Sequence, residues 1–228
     1  MGENLHSHAE DLERFEDSDF WSKVKVKLIL KLVEGKKVLD VGSGSGLLSK
    51  TLLTKGYNVT VIDNDVKAIE IAKKKGIQGF VADINTWQTY EKFDCIILGD
   101  VLEHIQDDKL AMRKVHKMLE TNGCIVVNVP AYQTLFSKHD AALGHQRRYS
   151  NAELESKLQD SGFTVERLRH WNLLALPITV SIKISKKDYP HEKVSNIALL
   201  SKLLEKWLLA ESKVNYWFGI SILCKARK

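Results

Sequence analysis

Histidine, arginine and tyrosine crowd one short stretch of this chain: Tyr132, His139, Asp140, His145, Arg147, Arg148 and Tyr149. An imidazole takes up or releases a proton near neutral pH, so His139 or His145 can serve as a general base. The arginines can grip a carboxylate or phosphate, or pair structurally with Glu153 or Glu155. His104, directly after Glu103, is a third candidate base. Far upstream, the apolar run Val38, Leu39, Asp40, Val41 leads into Gly42, Ser43, Gly44, Ser45 and Gly46. Glycine at alternate positions lets a backbone approach a ligand with no Cβ in the way. The N–H groups at the start of the following helix favour an anionic group. A dinucleotide turn would place its third glycine where Leu47 stands, which disfavours NAD-dependent chemistry.

These residues need elements to hold them. Strands are expected at 38–41, 58–62, 79–82, 93–98, 124–129, 163–169 and 217–225. Helices are expected at 9–34, 47–55, 66–75, 107–119 and 151–161. Alternating strands and helices indicate βαβ units and a mostly parallel sheet. The expected fold class is α/β: a Rossmann-like doubly wound sheet with an antiparallel final strand and helices on both faces. Gly35, Gly56, Gly76, Gly123 and Gly162 each follow an expected helix, where a left-handed cap belongs. Ser150 with Glu153 reads as a capping box. The reactive loop thus falls after the fifth strand, on the sheet edge where open α/β folds bind ligands.

Asp63 ends the second strand, 21 positions after Gly42. An acid there accepts hydrogen bonds from ribose hydroxyls in nucleotide folds, with Asn64 as a helper. The competing role is a helix cap, for which Asp65 is better placed.

The turn at 40–46 resembles motif I of the class I S-adenosylmethionine (SAM) dependent methyltransferases, with D-x-G-x-G-x-G intact. Three later features support the same resemblance, which covers residues 38–170. Asp63 stands at the ribose position. Phe80 to Ile84 matches the third-strand motif, and the resemblance implies that Asp83 meets the adenine amine and Ile84 the ring face. The run from Phe93 to His104 is similar to the fourth-strand motif, whose end passes beneath the methionine part of SAM. The cofactor set implied is Asp40, Gly42, Ser43, Gly44, Gly46, Asp63, Asn64, Asp83, Ile84, Gly99 and Asp100. The same resemblance puts His104 either against the cofactor or in the role of base. Asp100, Glu103 and His104 also resemble residues that bind a divalent ion in some quinone O-methyltransferases; the reading here is of a site without metal. The run H-D-x(3)-G-H-x-R-R-Y after the fifth strand resembles that of small-molecule or glycan-linked methyltransferases. Tyr132, Arg147, Arg148 and Tyr149 are therefore expected to bind substrate.

The implied reaction is methyl transfer from SAM to an oxygen or nitrogen atom of a small or lipid-linked metabolite. A non-catalytic SAM-binding regulatory or partner subunit is the second reading, and an NAD-dependent oxidoreductase the third. A chain of 228 residues is expected to form one domain, with a helical cap at 1–35 and a largely helical insertion at 171–215. The insertion is read as extra core, with a dimer contact, a lid or an acyl-chain groove as alternatives. Its run at 171–184 leaves peripheral membrane contact open, and the chain is expected to be a monomer or homodimer. The net charge of +5 is mild. Lysines at 23, 25, 27, 31, 36 and 37 share a helical apolar spacing, so they read as a solvated face, and nucleic acid is disfavoured as a partner. Asn128, Val129, Pro130, Ala131 and Tyr132 faintly resemble the N-P-P-Y box of nucleic-acid amino-methyltransferases, but that box belongs after the fourth strand, so the match is read as coincidence. Cys95, Cys124 and Cys224 sit in strand-like runs and are expected to be buried reduced thiols, with no zinc spacing. Without a signal-peptide pattern or a run of about 20 apolar residues, a cytoplasmic location is expected.

Overall fold

Among the described residues, seven strands, numbered in chain order, form one sheet in the order β3-β2-β1-β4-β5-β7-β6. The computed structural model describes residues 20–185, 198–211 and 218–228. The chain runs α1 (Phe20–Leu30), β1 (Lys37–Val41), α2 (Leu47–Thr54), β2 (Asn58–Asp63), α3 (Val66–Lys74), β3 (Gln78–Val81) and β4 (Phe93–Gly99). A 3-10 turn, Leu102–His104, leads to α4 (Asp108–Met118) and the long β5 (Leu119–Pro130). Then come a second 3-10 turn (Gln133–Leu135), α5 (Lys138–Ala142), α6 (Asn151–Asp160) and β6 (Thr164–Trp171). The described part ends with α7 (Leu176–Ser185), α8 (Ala198–Glu211) and β7 (Ser221–Arg227). Strands β1 to β5 pair in parallel, and β7 runs antiparallel between β5 and β6.

Period-two patterning splits the core between the two faces. Leu39, Val41, Ile96, Leu98, Ile125 and Val127 turn to one side, against Met112 and Val115 of α4 and Leu154 of α6. Val38, Val61, Cys95, Ile97, Cys124 and Val126 turn to the other, against Phe20, Val24 and Leu28 of α1, Leu52 of α2 and Ile69 of α3. Leu208 brings α8 onto this second face, beside α1. Burial of these side chains is what sets the register, because a slip by one residue would expose each strand's apolar set. All three cysteines are buried free thiols.

The differences from expectation are local. Helix α1 stops at Leu30 rather than 34, and Leu32 is buried in the turn that follows; the expected stretch 9–19 lies outside the described residues. Gly35, Gly56, Gly76 and Gly162 adopt positive φ as caps do, but Gly123 does not. Strand β5 already begins at Leu119, and Asn122 takes the left-handed turn (φ 64°) inside it. Asn tolerates that conformation where most residues do not. In the 171–215 segment, α7 and α8 are helices, with Leu203 and Trp207 of α8 exposed; 186–197 and 212–217 lie outside the described residues. No described helix is long and apolar enough to cross a membrane.

Candidate functional site

The direction of the winding reverses between β1 and β4, and a cleft of about 930 Å³ opens at the carboxyl ends of the strands there. That is the place where open α/β sheets bind ligands, and the volume suits a small molecule. Gly42, Ser43 and Gly44 enter from the turn after β1, Asp63 and Asn64 from the end of β2, and Asp83, Ile84 and Asn85 from beyond β3. Gly99 and Asp100 close the floor at the end of β4.

The glycines are needed for conformation and for clearance. Gly42 and Gly44 have φ of 69° and 51°. A Cβ on Gly42 would lie 2.6 Å from a Val101 methyl. Gly46, also at positive φ (73°), starts α2 and does not line the cleft. Asp40 does line it, and its carboxylate accepts a 2.5 Å bond from Ser49 Oγ of α2, tying strand to helix below the turn. Asp65 caps α3 by accepting from Lys67 N at 2.8 Å. Asp63 is thereby released from capping. Its Oδ2 accepts from Gly44 N at 3.0 Å and its Oδ1 from Asp65 N at 2.9 Å.

Three buried side-chain oxygens around the cleft have no hydrogen-bond partner: Ser43 Oγ, Asn85 Oδ1 and Glu103 Oε2. Buried polar atoms in native proteins are almost always paired, so these three are available to pair with a ligand in the cleft. They lie at the turn, beyond β3 and after β4 respectively. Burial, helped by the negative charge of Asp100, pushes the Glu103 carboxyl well above the usual carboxylate range, which favours the protonated form that can donate.

Asp100 holds a strained backbone (φ 60°). Lys25 Nζ donates to its Oδ2 at 2.8 Å and Asn128 Nδ2 to its Oδ1 at 2.5 Å, while Trp171 Nε1 secures Asn128 at 2.8 Å. Among the described residues, the group that could hold an ion does not include Asp100: it is Glu103, His104 and His145, each offering one atom within 4.8 Å of the others. The loop is clipped there by Gln146, whose backbone N–H donates to Glu103 O (2.8 Å) and whose side chain donates to His104 O (2.9 Å). The rings of His104 and His145 meet edge to face at 4.7 Å.

Other members of the expected substrate set are used internally. Tyr149 is fully buried, and its hydroxyl donates to Leu102 O (3.1 Å) or Asp108 Oδ2 (2.8 Å). Arg148 is buried against Asp140, with Nε and a terminal nitrogen at 2.8 and 2.7 Å from Oδ1. Neither lines the cleft, which corrects their assignment to substrate: each satisfies a buried partner instead. Tyr132, at φ 62°, stacks on His170 at 5.1 Å, and His139 lies on α5; both stand outside the lining. Arg147 pairs with Asp108 (3.1 Å) and donates to Gln106 O (3.0 Å), so it sits beside the cleft-lining Gln106 rather than in the wall.

Helix α1 supplies wall residues that the sequence reading missed: Ser22, Lys25, Val26 and Ile29. They lie on a different face from Phe20, Val24 and Leu28, so the apolar spacing of that helix does not reveal them. Asn85, next to Asp83 and Ile84, was also missed.

The strand order, the glycine-rich turn and the acids at successive strand ends define a class I SAM-dependent methyltransferase, and the unpartnered oxygens fit a polar nucleoside-bearing ligand. Residues 12–168 match the family profile described as a methyltransferase domain, and the chain belongs to that family. A ubiquinone biosynthesis O-methyltransferase of Pelagibacter ubique is 30% identical over 129 residues, 54% of each chain. The chain spans about half the length of the curated relatives it matches. Among solved structures, a SAM-dependent methyltransferase from Archaeoglobus fulgidus aligns with TM-score 0.66 at 14% identity, covering 95% of this chain and 97% of that one. The N-methyltransferase NodS from Bradyrhizobium japonicum, in complex with S-adenosyl-L-homocysteine, aligns with TM-score 0.62 at 16% identity, covering 97% and 99%. At such identities the structural likeness concerns the fold.

Proposed function

We propose that this chain transfers the methyl group of SAM to an oxygen or nitrogen atom of a small or lipid-linked metabolite. The observation that carries the reading is the run of unpartnered buried oxygens along one cleft, from Ser43 and Asn85 on the cofactor side to Glu103 beside two histidines. When bound, SAM supplies a methyl already activated by its sulfonium. The chain then has to hold an acceptor in line, exclude water and remove a proton where needed.

Ser43 and the backbone N–H groups of the glycine-rich turn would take the methionine carboxylate, with Asp100 and Gly99 beneath its amine. Asp63, helped by Asn64, would hold the ribose hydroxyls. Asp83 and Asn85 would meet the adenine edge, and Ile84, buried at 4% exposure, its face. On the acceptor side, the neutral Glu103 carboxyl can hydrogen-bond the acceptor atom while His104 or His145 takes its proton. The ubiquinone-pathway name of the relatives favours an oxygen acceptor.

Labelled SAM supplied with polar and lipid cell extracts, followed by mass spectrometry of any labelled product, tests this reading. Label should enter one acceptor fraction. Tight SAM binding with no transfer to any fraction would reduce the protein to a binding module.

A further inference from the structure

Asp140 is 1% exposed and surrounded by donors. Its Oδ2 accepts from Ser137 N (2.8 Å) and Ser137 Oγ (2.9 Å), which makes it half of the capping box of α5. Its Oδ1 accepts from Arg148 at 2.7 and 2.8 Å and lies 3.2 Å from His145 Nδ1. Burial opposes ionisation, but the bonds from His145, Arg148 and Ser137 outweigh it and hold the carboxyl well below the usual carboxylate range. A carboxylate without a proton can only accept. Whenever His145 is neutral, its Nδ1 must therefore carry the hydrogen, because the bond made by one ring nitrogen sets the state of the other.

We propose that Asp140 is a positioning residue that locks His145 with Nδ1 protonated, so that Nε2 is the atom that takes the proton of the methyl acceptor. The inference rests on the methyl-transfer reading above. It sets His145 apart from His139: His139 does not line the cleft, whereas His145 lines it and has a buried acid behind its ring. The backbone is pinned as well, with His145 N donating to Asp140 O at 2.9 Å. In the step, the acceptor's O–H or N–H bond breaks and its proton passes to Nε2. The freed electron pair forms the bond to the methyl carbon, and the C–S pair stays on sulfur as a neutral thioether.

The bland role for Asp140 is to cap α5 and anchor Arg148, and the test separates the two. Long-range ¹H–¹⁵N correlation on protein with ¹⁵N-labelled histidine, assigned with His145→Gln, reads the tautomer directly. The wild type should show His145 protonated at Nδ1, and Asp140→Ala should move it toward the Nε2-protonated form. With labelled SAM and cell extract as the probe, Asp140→Ala should lower the saturated rate per folded molecule roughly tenfold or more at unchanged SAM affinity. Ser137→Ala weakens the same cap but keeps the Oδ1 bonds, so its rate per folded molecule should hold. A wild-type His145 protonated at Nε2 overturns the proposal, as does an Asp140→Ala loss that only follows the folded fraction. A wild type that binds SAM and transfers no label overturns the methyl-transfer reading and the proton-acceptor role with it; the tautomer result would still stand.

Discussion

The Asp63 carboxylate accepts a 3.0 Å hydrogen bond from the backbone N–H of Gly44, so the acid at the tip of β2 also braces the turn that follows β1. Two cleft-lining features from separate strands are thereby mechanically linked. Asp63→Ala should weaken SAM binding by about 1–3 kcal/mol, the cost of leaving buried hydroxyls without an acceptor. Calorimetry reads this directly, and an unchanged affinity would remove Asp63 from the ribose role.

Gly44 lines the cleft at a φ of 51°. A bulky replacement such as Gly44→Leu is disfavoured in that conformation and puts a side chain where the ligand lies. SAM binding should be lost while the circular dichroism spectrum stays that of the wild type. Retained affinity would mean that the cofactor does not pass over this turn.

Arg148 and Tyr149 should behave as structural residues. Removing the buried partner of Asp140 with Arg148→Ala should cost about 3–5 kcal/mol of stability. Tyr149→Phe strips a buried hydroxyl from Asp108 and should cost about 1–3 kcal/mol. Urea unfolding measures both. In the folded fraction of each variant SAM affinity should equal that of the wild type; a selective loss of turnover with unchanged stability would return them to the substrate site.

Acid should weaken the link between β6 and β7. Bonds from Arg227, then Lys225, pull the Glu166 carboxyl down to about 2. Because its folded value is depressed, Glu166 contributes stability above its unfolded value, near 4.3, and that contribution disappears as pH falls through about 2. The melting temperature of Glu166→Gln should therefore lie below that of the wild type at pH 6, and the two should converge toward pH 2. A gap that does not change with pH would show that the network adds nothing through charge.

Much of the scaffold, and the glycine-rich turn and strand-end acids that line the cleft, was legible in the chain itself. Strand and helix order follow from periods of two and 3.6, and capping by Asp65 from a short local hydrogen bond. Positive φ at Gly42 and Gly44 is likewise a property of the residue type. Such features depend on neighbours within a few positions. The acceptor side depends on residues far apart in sequence. Whether Lys25 faces solvent or Asp100 was decided by how α1 packs on the sheet. Arg148 and Tyr149 turned inward because Asp140 and Asp108, both buried, needed partners more than the cleft needed cations. Backbone bonds from Gln146 to Glu103 and from His145 to Asp140 bring the His145 imidazole to the cleft, beside His104, with an acid behind it. No spacing pattern encodes that meeting, since it arises only when the loop after β5 closes over the turn after β4.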